Sequence, residues 1–385
     1  MAWGHGRRRV MEALGSAAQA PHAVVAMGKA AGAMAEGAVA VFGALPGLVV
    51  TKDGHHPGPP GFEVRYAAHP IPDARGAVAA ARLREVLAQG TAPRRILALL
   101  SGGASALLAD PRPGLTLGDL RVATRALLAS GLPIDAVNAV RRRLSASAGG
   151  RLATLADGAI EVLVMSDVLS DDLAAIASGP FFPDPTSADD VRALVAAVPG
   201  LPPAVRAVIA ASDEVEPRAR VEHRILARHA DLLAAAEREA TAVGWTVQRG
   251  EVARGSVEAA AARLVALAAQ LASGTVLVAG GEPTVELPAE PGLGGRNQHL
   301  ALLVARGLAG GPPRSFVALG SDGSDGPTDA AGAWVDEQSW ARFGARGPVA
   351  LARADAHPLL AAQGQLIESG PTGTNLLDLH LLAAP

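Results

Sequence analysis

The 385-residue sequence contains no cysteine. That excludes disulfides, zinc–thiolate sites and a cysteine nucleophile. Aromatic residues are scarce, with one Tyr, six Phe and four Trp, too few to build the stacking platforms on which single-stranded nucleic acids lie. No charge of one sign dominates: the net charge is near −3 and the isoelectric point near 6.4, so a basic footprint for a phosphate backbone is missing. Long apolar runs are missing as well. The nearest, residues 257–271, contains Glu258 and Arg263 and reads as a helix of the interior. Near the start, Arg7, Arg8 and Arg9 precede a weakly apolar stretch, as in a secretory leader. Glu12 interrupts that stretch, and Val10, Leu14, Ala17 and Ala18 share one face of an amphipathic helix. What is left is a globular chain long enough for two domains, expected to be cytoplasmic, with neither nucleic acid nor membrane as a partner.

Lysine is the rarest charged residue. Among thirty-four Lys plus Arg, only Lys29 and Lys52 are lysines. Arg has taken almost every position where a planar fork serves, so these two either require a compact ammonium on a flexible stem or survive by chance. Lys29 has the more telling context. Ala23–Val24–Val25–Ala26–Met27 is a continuous apolar run, the pattern of a buried parallel strand, and residues 30–41 then read as an Ala-rich helix. A basic side chain at a helix N-terminus, beside unpaired N–H groups, makes an anion site.

The alternation of strand and helix continues. Strands are expected at 47–51, 64–67, 95–100 and 160–165, and helices at 74–89, 117–130 and 134–144. Repeated βα units imply a doubly wound, mostly parallel sheet, a Rossmann-like α/β domain over residues 1–215. Residues 178–220 are richer in Pro and turn formers, with one helix at 188–198, and read as the boundary. The second α/β domain, 216–385 with a mixed sheet, is expected to contain strands at 221–226, 245–249, 275–279, 282–287 and 315–319. Its helices are expected at 230–242, 257–271 and 294–308.

Ligands of open α/β sheets bind outside the carboxyl ends of strands. Five loops qualify: Gly28–Lys29, Ser101–Ser105, Ser166–Asp172, Gly280–Glu282 and Gly320–Asp329. Ala26 and Ala31 stand where the dinucleotide fingerprint needs Gly, and Ala23 and Ala30 break the P-loop pattern. Leu107 replaces the last Gly of a hydrolase nucleophile elbow around Ser105. Turns at 101–105 and 294–298 are either anion cradles or ordinary Gly turns, the second with Arg296 for bidentate recognition. Asp322, Asp325 and Asp329 suit oxygen ligation of Mg²⁺ or act as turn formers. Asp167, Asp171 and Asp172 likewise contact a metal or hydroxyl, or cap a helix. His69 and His299 read as structural. Cations, anion-binding turns and carboxylates without a nucleophile are what phosphoryl transfer requires.

In this order the loops resemble the glycerate 2-kinase family with a MOFRL C-terminal domain, whose members are also labelled hydroxypyruvate reductases. The matching motifs begin with Gly28–Lys29–Ala30, Thr51–Lys52–Asp53–Gly54–His55, His69–Pro70–Ile71–Pro72–Asp73, Ser101–Gly102–Gly103–Ala104–Ser105 and Asn138–Ala139–Val140–Arg141. They continue through Ser166–Asp167–Val168, Ala177–Ser178–Gly179–Pro180, Gly280–Gly281–Glu282–Pro283–Thr284 and Gly294–Gly295–Arg296–Asn297–Gln298 to Asp322–Gly323–Ser324–Asp325 and Gly370–Pro371–Thr372–Gly373–Thr374–Asn375. The resemblance implies two α/β domains with the active site in the cleft between them. It also implies ATP, Mg²⁺ and transfer of a phosphoryl group to the 2-hydroxyl of D-glycerate; a homodimer is left open. Lys29 and Arg296 match the family's proposed catalytic cations. On our reading Asp167 or Asp322 positions the attacking hydroxyl or ligates the metal, with Asp325 a further metal candidate. Lys52, Ser101, Gly102, Gly103, Ser105, Arg141, Glu282, Asn297, Thr372 and Asn375 fall on the family's substrate- and ATP-binding motifs. Three departures stand out: Ala26 replaces a family Gly, Ala148 replaces a family Lys, and the N-terminal helical region is short. An NAD(P)H-dependent hydroxypyruvate reductase and a non-catalytic sugar-acid binder are the alternatives.

Overall fold

Two six-stranded sheets organise the protein, each with its own helices and core. The computed structural model describes residues 4–15, 19–69, 71–89, 94–212 and 214–385. Ala17 and Ala18 of the expected first-helix face, and Pro70 of the motif beginning at His69, lie outside the described residues. The chain divides into one unit of His5–Leu226 and another built from Ala227–Pro385.

The first unit contains β1 (Ala23–Met27), β2 (Gly47–Lys52), β3 (Glu63–Ala67), β4 (Arg94–Ser101) and β5 (Gly158–Met165). A sixth strand, β6 (Arg220–Ala227), completes the sheet in the order β3-β2-β1-β4-β5-β6. The pairs from β3 through β5 are all parallel. The apolar runs of β1, β4 and β5 are buried because helices leave no face of a parallel sheet to solvent. The 3-2-1-4-5-6 order is that of doubly wound sheets, with its switch point between β1 and β4.

One difference concerns the domain boundary. Strand β6 lies in the first sheet, so that unit extends past the expected end at residue 215. The Pro-rich stretch before it is not a linker. Helices Leu117–Ala129, Ile134–Leu144, Ala188–Ala197 and Pro203–Ala210 pack around a core that includes Leu127, Val140, Val195 and Ile209. Arg142 and Arg143 both reach the Asp184 carboxylate, and Arg143 also reaches Glu214, which ties the stretch to the helix Ile134–Leu144.

The second unit contains β7 (Thr246–Ala253), β8 (Thr275–Gly281), β9 (Ser315–Gly320), β10 (Gly332–Asp336), β11 (Leu366–Ile367) and β12 (Asp378–Ala384). Their order is β11-β10-β9-β12-β8-β7; only β7 and β8 pair in parallel, so the sheet is mixed, as expected. Helices Val257–Gln270 and Arg296–Leu308 cover one face through Leu264, Leu300 and Val304, which meet Leu277, Phe316 and Leu382. The expected strand at 282–287 does not form. Only Thr284 makes an isolated bridge, to Ser256, because Pro283 has no N–H to donate to a ladder.

Candidate functional site

The parallel register puts several predicted residues at one edge of the first sheet. Met27 is the partner of Leu100 and of Val50, and Ser101 is the partner of Met165. Lys29, Lys52, Gly102–Gly103 and Asp167 therefore leave their strands at nearly the same level, beside the switch point. The packing there is close. Gly28 has φ +115°, and a Cβ on it would stand 2.3 Å from the Ser101 carbonyl oxygen and from Ser101 Oγ, so no other residue fits. Gly103, at φ +86°, lies under the Lys29 stem and the His69 ring; a Cβ there would be 3.3 Å from Lys29 Cγ.

This packing changes the role of the helix N-terminus. The Lys29 N–H donates to the Gly102 carbonyl (3.0 Å), Ala30 N–H to Ser101 Oγ (3.0 Å) and Ala31 N–H to the Gly28 carbonyl (3.2 Å). His55 Nδ1 donates to the Lys29 carbonyl (3.0 Å), and the His56 backbone packs on Gly32. Buried N–H groups must find acceptors, and here protein supplies them. The expected backbone cradle at Gly28–Lys29 is thus already occupied, and its capacity for anions rests on the half-buried Lys29 side chain. Ser101 is correspondingly a buried structural hydroxyl.

Beyond this edge the first unit has a groove of about 770 Å³, lined by Ser105, Arg125, Arg141, Ser147, Ala148 and Ser178 among others. Burial lowers the Arg141 pKa but leaves it a cation. Ser147 Oγ donates to Asp110 Oδ2 (2.6 Å), which also pairs with Arg84. The wall is a strained turn: Ala177, Ser178 and Gly179 follow one another at φ 52°, 64° and 60°. Gly149 and Gly150 hold it by donating to the carbonyls of Ser178 (3.0 Å) and Gly179 (2.8 Å). The turn falls on the motif Ala177–Ser178–Gly179–Pro180, whereas Ser147 and Asp110 carry no motif of their own; the signal near them is the pair of adjacent glycines at 149–150.

In the second unit the predicted residues gather where β8 and β9 end and β12 begins. Asp378 is the register partner of both Gly281 and Gly320. Arg296 at the start of its helix sends Nε to Asp378 Oδ2 (2.6 Å), Nη2 to Asp378 Oδ1 (3.0 Å) and Nη1 to Glu282 Oε1 (2.8 Å). Burial opposes the charge on Arg296, but the two carboxylates outweigh it and raise the pKa further. Asp378 is 1% exposed, whereas the Glu282 side chain is 49% exposed. Sequence reasoning missed Asp378, whose partner is 82 residues away. Thr372 donates to the Ser321 carbonyl and, through its N–H, to that of Asp322 (3.3 Å), so the loop carrying Thr372 and Asn375 is laced to the acidic one.

Asp325 is not free to ligate a metal. Its oxygens accept from Asn297 N–H (3.0 Å), Asn297 Nδ2 (3.3 Å) and Gln298 N–H (2.8 Å), so it caps the helix Arg296–Leu308. Burial pushes its pKa up to about 6 against those hydrogen bonds. Asn297 is committed to the same cap and 1% exposed, which removes it from substrate contact. The predicted cradle at 294–298 is filled by a carboxylate of the protein itself. Among the described residues no three His, Asp or Glu side chains converge as a metal cage. A nucleotide-bound Mg²⁺ needs only one or two carboxylates beside phosphates and water, and half-buried Asp167 at the end of β5 suits that role.

Residues 7–210 match a family described as Domain of unknown function (DUF4147), and residues 275–378 match the MOFRL family. The chain belongs to this two-domain family. It is 37% identical to a putative hydroxypyruvate reductase of Agrobacterium vitis, over 93% of this chain and 98% of that protein. It is 35% identical to the D-glycerate 2-kinase of Thermotoga maritima, over 92% of this chain and 89% of that protein. The crystal structure of the glycerate kinase from Thermotoga maritima matches with a TM-score of 0.85 at 33% identity, covering 99% of this chain and 95% of that one. The family and the α/β class expected from the sequence are both met.

Proposed function

We propose that the chain is an ATP-dependent kinase that phosphorylates the 2-hydroxyl of D-glycerate to give 2-phosphoglycerate. The observation that carries this reading is the gathering of Lys29, the Gly102–Gly103 turn and Asp167 at the switch point of a 3-2-1-4-5-6 sheet, in a family that includes a D-glycerate 2-kinase. Phosphoryl transfer asks mainly for positioning and charge neutralisation, and these groups supply both. Lys29 would neutralise the transferring group. Arg296 would serve as a second cation by exchanging exposed Glu282 for phosphate oxygens while buried Asp378 keeps the guanidinium oriented. Arg141 and Ser105 are assigned to the glycerate carboxylate. Asp167 or Asp322 would hold Mg²⁺, which when bound spreads the charge of the phosphates.

The test is an assay of the purified chain with D-glycerate, ATP and Mg²⁺, its product fed to enolase. Enolase accepts 2-phosphoglycerate and not the 3-isomer, so a signal without added mutase supports both reaction and regiochemistry. The name carried by the Agrobacterium vitis relative supports a second reading, a hydroxypyruvate reductase. Oxidation of NADH by hydroxypyruvate, with no ADP formed from glycerate and ATP, would replace the kinase reading with that one.

A further inference from the structure

The groove of about 770 Å³ in the first unit is far larger than the acceptor assigned to it. D-Glycerate is a three-carbon acid without an apolar face, and Arg141 with Ser105 would take up its carboxylate at one end. Spaces of several hundred Å³ with largely apolar walls suit bigger ligands. The remaining wall is one face of the helix Leu117–Ala129. Leu117, Leu120, Arg121 and Thr124 keep the spacing of a single helical face, and Arg125 continues it. The core-facing stripe of the same helix is Ala123 and Leu127, both fully buried. Leu117, Leu120 and Thr124 are only half-buried, and Arg121 and Arg125 are exposed, so this second face is open to a ligand.

The cations of that wall lack counter-ions. Elsewhere Arg75, Arg142, Arg249 and Arg296 each close on a carboxylate. Here Arg121 donates to the Pro72 carbonyl (2.9 Å) and Arg141 to Asn138 Oδ1 (3.3 Å), and among the described residues no ion pair holds Arg121, Arg125 or Arg141. Asp110, the one carboxylate of the lining, is already closed on Arg84 and Ser147. Leucines followed by guanidiniums without carboxylates complement a molecule that is flat and apolar at one end and anionic at the other. The groove also begins where the phosphates are expected: Ser105 lies on the short helix Ala104–Leu107, whose N-cap is Gly103 of the turn beside Lys29.

We propose that the groove seats the nucleoside of the phosphoryl donor, with its base against Leu117 and Leu120 and Arg125 on its phosphates. This rests on the kinase reading for the nucleotide's role as donor. A nucleobase is flat and mostly apolar, so burial against leucine releases water, and a guanidinium is a weakly hydrated cation whose fork matches phosphate oxygens. Donor and acceptor then share one groove, glycerate at the Arg141 end and the nucleoside along the helix.

The test titrates MgADP and magnesium tripolyphosphate, which has the phosphates without the nucleoside, calorimetrically into the full chain, beside the kinase assay. MgADP is expected to bind about tenfold more tightly or better. Leu120→Asn should weaken MgADP about tenfold and leave tripolyphosphate unchanged. Arg125→Gln, at an exposed side chain, should weaken both. In neither variant should the KM for D-glycerate move beyond about twofold, against about tenfold for ATP. Equal affinity of the native chain for the two probes overturns the proposal, as does MgADP binding that neither variant alters. A KM that rises for D-glycerate instead of ATP overturns it too, and gives the whole groove to the acceptor. Absence of turnover with this pattern of MgADP binding intact supports the site and overturns the kinase reading, whereas turnover without the pattern overturns the site alone.

Discussion

Two cations of the proposed site differ in how they are held, and that difference sets what their substitution should do. Lys29 is half-buried on a turn whose backbone is bonded to protein at the edge of the first sheet. Lys29→Ala is expected to lower kcat by about 10²–10³-fold, the usual loss of one transition-state donor. Near-native turnover would remove Lys29 from catalysis. Arg296 is different, because Asp378 holds it from a buried position and Glu282 from an exposed one. Asp378→Asn should cost stability as well as kcat, since it removes the buried carboxylate that pairs with the half-buried guanidinium; Glu282→Gln should leave both within about twofold. Loss of activity in Glu282→Gln with Asp378→Asn intact would invert the two roles. Lys29, Arg296 and the glycine turns were legible because rare residues and Gly pairs stand out in a chain. Asp378 was not, since its meaning comes only from a fork closed across 82 residues.

The helix Arg296–Leu308 shows how an element is specified by a residue outside it. Gly295, Arg296 and the apolar run after them announce its start in the sequence, but the cap is Asp325, supplied by a loop. A Cβ on Gly295 would fall 2.2 Å from Asp325 Cγ, so glycine is what allows the approach. The pH dependence follows. With its pKa raised from the ordinary carboxylate value to about 6, folded Asp325 binds a proton that the unfolded chain has already released. Its contribution to stability is therefore full below about pH 4, falls as the pH rises through 6, and is flat above, a change on the order of 3 kcal/mol. Urea unfolding of the native chain and Asp325→Asn between pH 4.5 and 7.5 should show that slope in the first and not in the second. Elements rich in one pattern, such as β1, β4 and β5, were readable for the same reason that they are stable: continuous apolar side chains buried on both faces. Strand β12 was not foreseen, because Asp378 and His380 break its apolar pattern and are tolerated only through Arg296 and Asn297.

At the scale of the whole molecule, the two sheets carry separate hydrophobic cores, one including Leu83, Leu100 and Val164, the other Leu300, Phe316 and Leu382. Phe316 is fully buried, and Phe316→Ala should cost about 3–5 kcal/mol. Hydrogen exchange is expected to report that loss across 227–385, with protection in the first sheet reduced less. Uniform loss across both sheets would mean that they unfold as one unit. The alternation of strands and helices disclosed that there are two such assemblies. It placed their boundary too early, because β6 reads like the first strand of a new series and only its hydrogen-bonded neighbour assigns it to the old one.

The scarcity of lysine has a practical consequence at the β1–β4 edge. Lys29 and Lys52, the only two lysines of the chain, leave neighbouring parallel strands at almost the same level, and both are partly accessible. An acylating reagent used above neutral pH thus meets a protein whose side-chain amines all lie at the proposed reaction centre. Acetylation followed by peptide mass spectrometry should give at most two side-chain adducts, with D-glycerate and ATP slowing that at Lys29. The composition makes this protein a selective target for its own active-site label.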